Sequence, residues 1–94
     1  MFDNTTGEYN TAIGHESLAD NTTGDNNVAV GYHALREVTT GSANTAVGRG
    51  SLYNLTTGGY NTAVGSNALH TNQTGIQCTA VGYHALYYNT ASYN

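Results

Sequence analysis

Three consecutive residues, His15, Glu16 and Ser17, supply the side-chain types of a hydrolytic triad. A triad needs a nucleophile, a base and a carboxylate that orients the base, all set beside an oxyanion hole. Neighbours on one turn cannot take up that geometry, so no catalytic residue and no enzymatic activity are expected. The four histidines, His15, His33, His70 and His84, raise metal binding, which requires two to four converging ligands. His33 and His84 occupy the same position of a repeat but stand three rungs apart, about 14 Å at parallel-strand spacing. They cannot share an ion within one chain. Three copies of one histidine around a three-fold axis would converge, but solvent-facing turn residues are the simpler expectation. Neither a metal nor a cofactor is expected. The glycines form no phosphate loop, since no lysine follows them. Asn-x-Thr sequons at Asn4, Asn21, Asn54 and Asn72 follow from composition and matter only in a glycosylating secretory pathway.

The eight tyrosines are the most informative variable residues. Tyr9 and Tyr60 share one repeat position, Tyr32 and Tyr83 a second, and Tyr53 and Tyr87 a third, with Tyr88 adjacent. Positions that vary between copies point outward or lie at rims. Tyr9, Tyr32, Tyr60 and Tyr83 are therefore candidates for surface contact, by stacking on a glycan or by packing against a protein receptor. The plainer role is to cover small-residue turns or to pack between protomers.

All these side chains hang on a tandem repeat. Ala-(Ile/Val)-Gly begins at Ala12, Ala29, Ala46, Ala63 and Ala80, always 17 residues apart, and ends at Gly14, Gly31, Gly48, Gly65 and Gly82. A second glycine recurs at Gly7, Gly24, Gly41, Gly58 and Gly75, and a leucine at Leu18, Leu35, Leu52, Leu69 and Leu86. The unit reads N-T-T-G-x-x-N-T-A-V-G-x-x-(A/S)-L-x-x. One repeat domain spans the chain, with rungs at residues 4–20, 21–37, 38–54, 55–71 and 72–88 and a partial copy at 89–94, where Ser92 falls at the glycine position.

Apolar pairs broken by Gly-x-x do not fit a helical period, and asparagine and threonine are weak helix formers. Each unit suits two short strands, one over Asn-Thr-Ala-Val and one centred on Ala-Leu, joined by turns in which both glycines supply positive φ. The expected fold is all-β, a parallel β-solenoid or β-roll, with a three-sided rung as the alternative. Five rungs make a column of roughly 24 Å. Stacking aligns Asn10, Asn27, Asn44 and Asn61, with Cys78 as the fifth member, in an asparagine ladder, and Thr23, Thr40, Thr57 and Thr74 in a threonine ladder.

One Val or Ile and one Leu per rung offset little of the cost of ordering 17 residues. A second buried surface is expected, with Ala46 and its equivalents small enough to admit another chain, and hence a homo-oligomer. The charge of −4, with Arg36 and Arg49 as the basic residues and no basic cluster, excludes a nucleic-acid partner. No apolar run is long enough to span a membrane. Cys78 is the single cysteine and has no intrachain partner.

The Asn-Thr-Ala-Val-Gly strand, followed by x-x-Ala-Leu and Asn-Thr-Thr-Gly, resembles repeats of phage tail-fibre proteins and, over Asn4 to Asn94, the head repeats of trimeric autotransporter adhesins. Adhesin head repeats are usually shorter than the 17-residue unit here. The resemblance implies a left-handed β-roll, three chains per fibre, an extracellular or virion-surface location, and a role in attachment or host recognition. Two other readings stand beside it. Met1-Phe2-Asp3 has none of the features of a signal peptide, and ordinary repeat sequence follows it without a cap, which fits a subunit stacking end to end into a filament. The recurring pairs Thr22-Thr23, Thr39-Thr40 and Thr56-Thr57 raise an ice-binding solenoid.

Overall fold

The computed structural model describes residues 4–94. Met1-Phe2-Asp3, on which the absence of a signal peptide was partly read, lie outside the described residues. The chain is an all-β solenoid with one strand per rung: β1 (Thr11–Ile13), β2 (Val28–Val30), β3 (Thr45–Val47), β4 (Thr62–Val64) and β5 (Thr79–Val81). These form one parallel sheet in sequential order, and every pairing is offset by one repeat, as in Ala29 opposite Ala46 and Ala46 opposite Ala63. The column measures 30 × 23 × 16 Å. No helix among the described residues is long and apolar enough to cross a membrane.

The expected second strand does not form. Ala34 and Leu35 are both fully buried, which an extended strand cannot achieve with adjacent residues because its side chains alternate between faces. Leu35 instead takes φ of 49°, as do Leu18, Leu52, Leu69 and Leu86 at 49–53°. The left-handed conformation turns both neighbours inward. It costs about 1–2 kcal/mol per residue, of the same order as the ~1.5–3 kcal/mol gained by burying a leucine. The segment remains hydrogen-bonded along the column without strand geometry. Leu18 N–H donates to the Ala34 carbonyl at 3.0 Å, and Leu35 N–H to the Ser51 carbonyl at 3.0 Å.

The two glycine columns have different causes. Gly14, Gly31, Gly48, Gly65 and Gly82 have φ of 123–131°, as the turn demands. Gly7, Gly24, Gly41, Gly58 and Gly75 do not have positive φ. They are needed because a Cβ on any of the first four would run into the carbonyl oxygen of the glycine one rung on.

Leu18, Leu35, Leu52 and Leu69 stack with Ala29, Ala46, Ala63 and Ala80 in the core. Ala46 therefore packs inside its own chain and is not the surface that admits another. Its neighbours Thr45 and Val47 are the outward residues. The asparagine ladder forms as expected. The side chain of Asn44 donates to Asn27 Oδ1 at 3.1 Å and to the Gly58 carbonyl at 3.0 Å, while its own Oδ1 accepts from the Asn61 backbone N–H at 3.1 Å. Cys78 ends the ladder, its thiol donating to the Ala91 carbonyl at 3.1 Å. The threonine ladder lies one residue earlier than expected. The hydroxyls of Thr5, Thr22, Thr39 and Thr56 donate to carbonyls one rung on, at 3.0, 3.1, 3.4 and 3.2 Å, whereas Thr23, Thr40, Thr57 and Thr74 are exposed.

The partial copy is one residue short. Ser92 does not replace the glycine: its hydroxyl accepts from Ile76 N–H at 3.1 Å, as the Ser42 hydroxyl accepts from Asp25 N–H. Ala91 takes the glycine's place, and its carbonyl accepts from the Asn89 side chain as that of Gly24 does from Asn21.

Candidate functional site

Two walls of the column carry all the features that bear on function. The first is the outer face of β1–β5. Alternation along each strand turns its alanine inward and its first and last residues outward. Thr11, Val28, Thr45, Thr62 and Thr79 make one outer row, and Ile13, Val30, Val47, Val64 and Val81 the other. Ile13 and Val81 are 60% and 70% exposed, and the valines between them are half-buried by their own neighbours. No charged residue lies on this wall.

The second wall is built by the two residues after each strand's glycine and by the residue after each core leucine. Because rungs stack in register, side chains at these positions lie one above another. Tyr53 and His70 have ring centres 5.0 Å apart with planes 4° apart, and His70 and Tyr87 are at 4.9 Å and 9°. Tyr32 stacks on His33 at 3.8 Å, and His33 meets Tyr53 at 5.5 Å. The result is a continuous aromatic column. Sequence periodicity places Tyr53 and Tyr87 two rungs apart with His70 at the same position on the rung between them, a signal that comparing the tyrosines alone passes over, and the geometry shows that the three rings stack.

A cleft of about 230 Å³ opens in the middle of this wall, lined by Tyr32, His33, Arg49, Gly50, Tyr53, Asn67, His70 and Tyr87. Gly50 creates it. The equivalent positions hold Glu16, His33, Asn67 and His84, and a Cβ at Gly50 would meet Asn67 Oδ1. This glycine at an otherwise side-chain-bearing position was the sequence signal for the cleft. Arg49 reaches over it, with its guanidinium carbon 5.8 Å from the Tyr32 ring centre, and makes no ion pair among the described residues. Nδ1 of His70 is buried without a hydrogen-bond partner. Burial, and then the charges of His84 and Arg49, hold the His70 pKa below the usual histidine value.

Above the cleft lies a charged cluster. Arg36 pairs with Glu16 at 3.1 Å and Asp20 at 2.8 Å, and His33 Nε2 meets the same Glu16 oxygen at 2.7 Å. The hydrogen bond from Arg36 lowers the Glu16 pKa, and that of His33 adds to it against the opposing effect of desolvation. The histidines are thus not uniformly solvent-facing. His15 and His84 are exposed, while His33 and His70 are half-buried in stacks. Ser17 is in the core with its hydroxyl donating to the Gly14 carbonyl at 3.0 Å, so His15, Glu16 and Ser17 do not converge.

Two of the four candidate contact tyrosines lie on the aromatic wall and two lie on neither wall. Tyr32 and Tyr83 belong to the aromatic wall, at 46% and 75% exposed. Tyr9 and Tyr60 project from the turn before the asparagine ladder, at φ of 58° and 61°, and touch neither the cleft nor the charged cluster. No protein-family model, curated protein or solved structure matches the chain.

Proposed function

We propose that this chain is a non-catalytic segment of a homo-oligomeric fibre, in which columns pack together through their strand walls and turn the aromatic walls outward for attachment. The observation that carries the reading is the uncovered parallel sheet. Parallel sheets are normally buried on both faces, and here the outer face presents two in-register rows of β-branched residues without a charge. A second copy has the same rung pitch and the same rows, so each β-branched residue meets its own copy at every level. Three copies around an axis, each touching two others, bury all three walls. A left-handed column and an extracellular or virion-surface setting accompany this reading through the resemblance to tail-fibre and adhesin-head repeats. The aromatic cleft with Arg49 suits stacking on a saccharide of a receiving surface.

The test is the mass in solution by light scattering after gel filtration. The expected result is a discrete species near three times 9.8 kDa for the natural chain and a folded monomer for Val47→Glu. A natural chain that stays monomeric at every concentration overturns the proposal. A mass that grows with concentration, unaffected by Val47→Glu, moves the contact from the strand wall to the column ends.

A further inference from the structure

The cluster above the cleft contains a set of donors that the fibre reading does not use. His15, Glu16 and His33 each bring one ligand atom within 4.8 Å of the other two. Two imidazoles and a carboxylate are a donor set suited to zinc, which accepts nitrogen and oxygen ligands at about 2.0–2.2 Å and leaves a fourth position to water. The backbone holds the donors in place. His33 N–H donates to the His15 carbonyl at 3.0 Å, which pins the two histidine positions on adjacent rungs. Glu16 and His33 sit at equivalent left-handed positions, φ 54° and 60°, and so project in parallel. Comparison of like positions did not find the set because His15 and His33 are one repeat plus one residue apart.

We propose that His15, Glu16 and His33 form a three-donor zinc site across the first two rungs. The short contact between His33 Nε2 and Glu16 Oε2, 2.7 Å, already holds two of the donor atoms together. Arg36 opposes binding, since its guanidinium lies 3.1 Å from the same oxygen. It retains Asp20 at 2.8 Å when Glu16 turns to the ion. The site is therefore a moderate-affinity one with an open, solvent-facing position, able to accept a further ligand from a neighbouring molecule.

The test is calorimetric titration of the full chain with zinc chloride, with circular dichroism to show that each variant is folded. The expected result is one zinc per chain. His15→Ala, Glu16→Gln and His33→Ala each weaken binding by at least the roughly 10–100-fold that loss of an outer-shell partner costs a metal site. His84→Ala, an exposed histidine three rungs from His33, leaves the affinity unchanged, and Arg36→Gln, which removes the competing cation, tightens it. Absence of zinc binding overturns the proposal. So does affinity that is indifferent to the three donor substitutions, or a stoichiometry of one zinc per three chains, which would place the ion on a symmetry axis instead.

Discussion

The strand wall and the aromatic wall are made by the same 17-residue unit, yet they obey different rules. On the strand wall each outer position holds a β-branched residue, Thr, Val or Ile, in every rung, and no charge appears in β1–β5. On the aromatic wall the same three positions hold His, Tyr, Arg, Ser, Glu, Asn, Ala or Gly. The difference is one of tolerance. Residues of the strand wall abut their own copies through backbone and core contacts at a fixed pitch, so any change is felt one rung above and one below. Residues of the aromatic wall also join rung to rung by backbone hydrogen bonds, as from His33 N–H to the His15 carbonyl at 3.0 Å, but most of their side chains lie outside the hydrophobic core. They can vary while the column stays intact, and variation there produces the cleft, the ion cluster and the ring stack.

The sharpest way to break the comparison is to make one change at the end of a strand and one on the aromatic wall. Gly48→Ala, at φ 124° with the Gly65 carbonyl carbon 2.7 Å from the added methyl, is expected to cost more than about 4 kcal/mol, in the range of backbone strain combined with core overpacking. Gly50→Ala, at φ 65° against the movable Asn67 side chain, is expected to cost about 1–2 kcal/mol while filling the cleft. Urea denaturation of both variants checks this, and equal losses would erase the distinction between walls.

A smaller contrast lies between two asparagines. Asn44→Ala leaves the Gly58 carbonyl and Asn27 Oδ1 short of donors inside the column and is expected to cost roughly 2–4 kcal/mol. Asn67→Ala removes only the side-chain hydrogen bond to His84 at 3.1 Å and places alanine at a left-handed φ of 59°, so it is expected to cost about 1 kcal/mol. Thermal unfolding of the pair measures the difference.

The smallest effect is in the pH dependence. The His70 pKa is lowered in the folded state from 6.5, so below that value the unfolded chain binds more protons than the folded one. Stability is then full above the unfolded pKa and falls as pH drops from about 6.5. His70→Gln is expected to flatten the unfolding free energy between pH 7 and 5.5, and an unchanged slope would remove His70 from that role.

Much of the column was legible in the sequence because a repeat without insertions aligns like with like whatever the rung looks like. That logic yields the asparagine ladder from Asn10 to Cys78, the parallel register and the all-β class. It does not reveal the backbone conformation inside a rung. The adjacent Ala34 and Leu35 suggest a strand by their place between turns, though two neighbouring inward residues already conflict with strand alternation. The inward direction of Ala46 is hidden in the sequence for a related reason: alternation separates alanine from valine but does not say which of them faces the core. The last copy, Asn89 to Asn94, was aligned by counting, but its hydrogen bonds follow a register one residue shorter.

For this protein the sequence alone determined the solenoid class, the pitch and the lack of a charge on the strand wall, since these follow from periodicity and residue type. The tertiary structure decided which face of each strand is the core, which threonine row spends its hydroxyls on carbonyls, and that His15, Glu16 and His33 meet. These depend on side-chain direction, and side-chain direction is set by left-handed residues whose φ is chosen by packing around the rung and not by any local preference of leucine, glutamate or histidine.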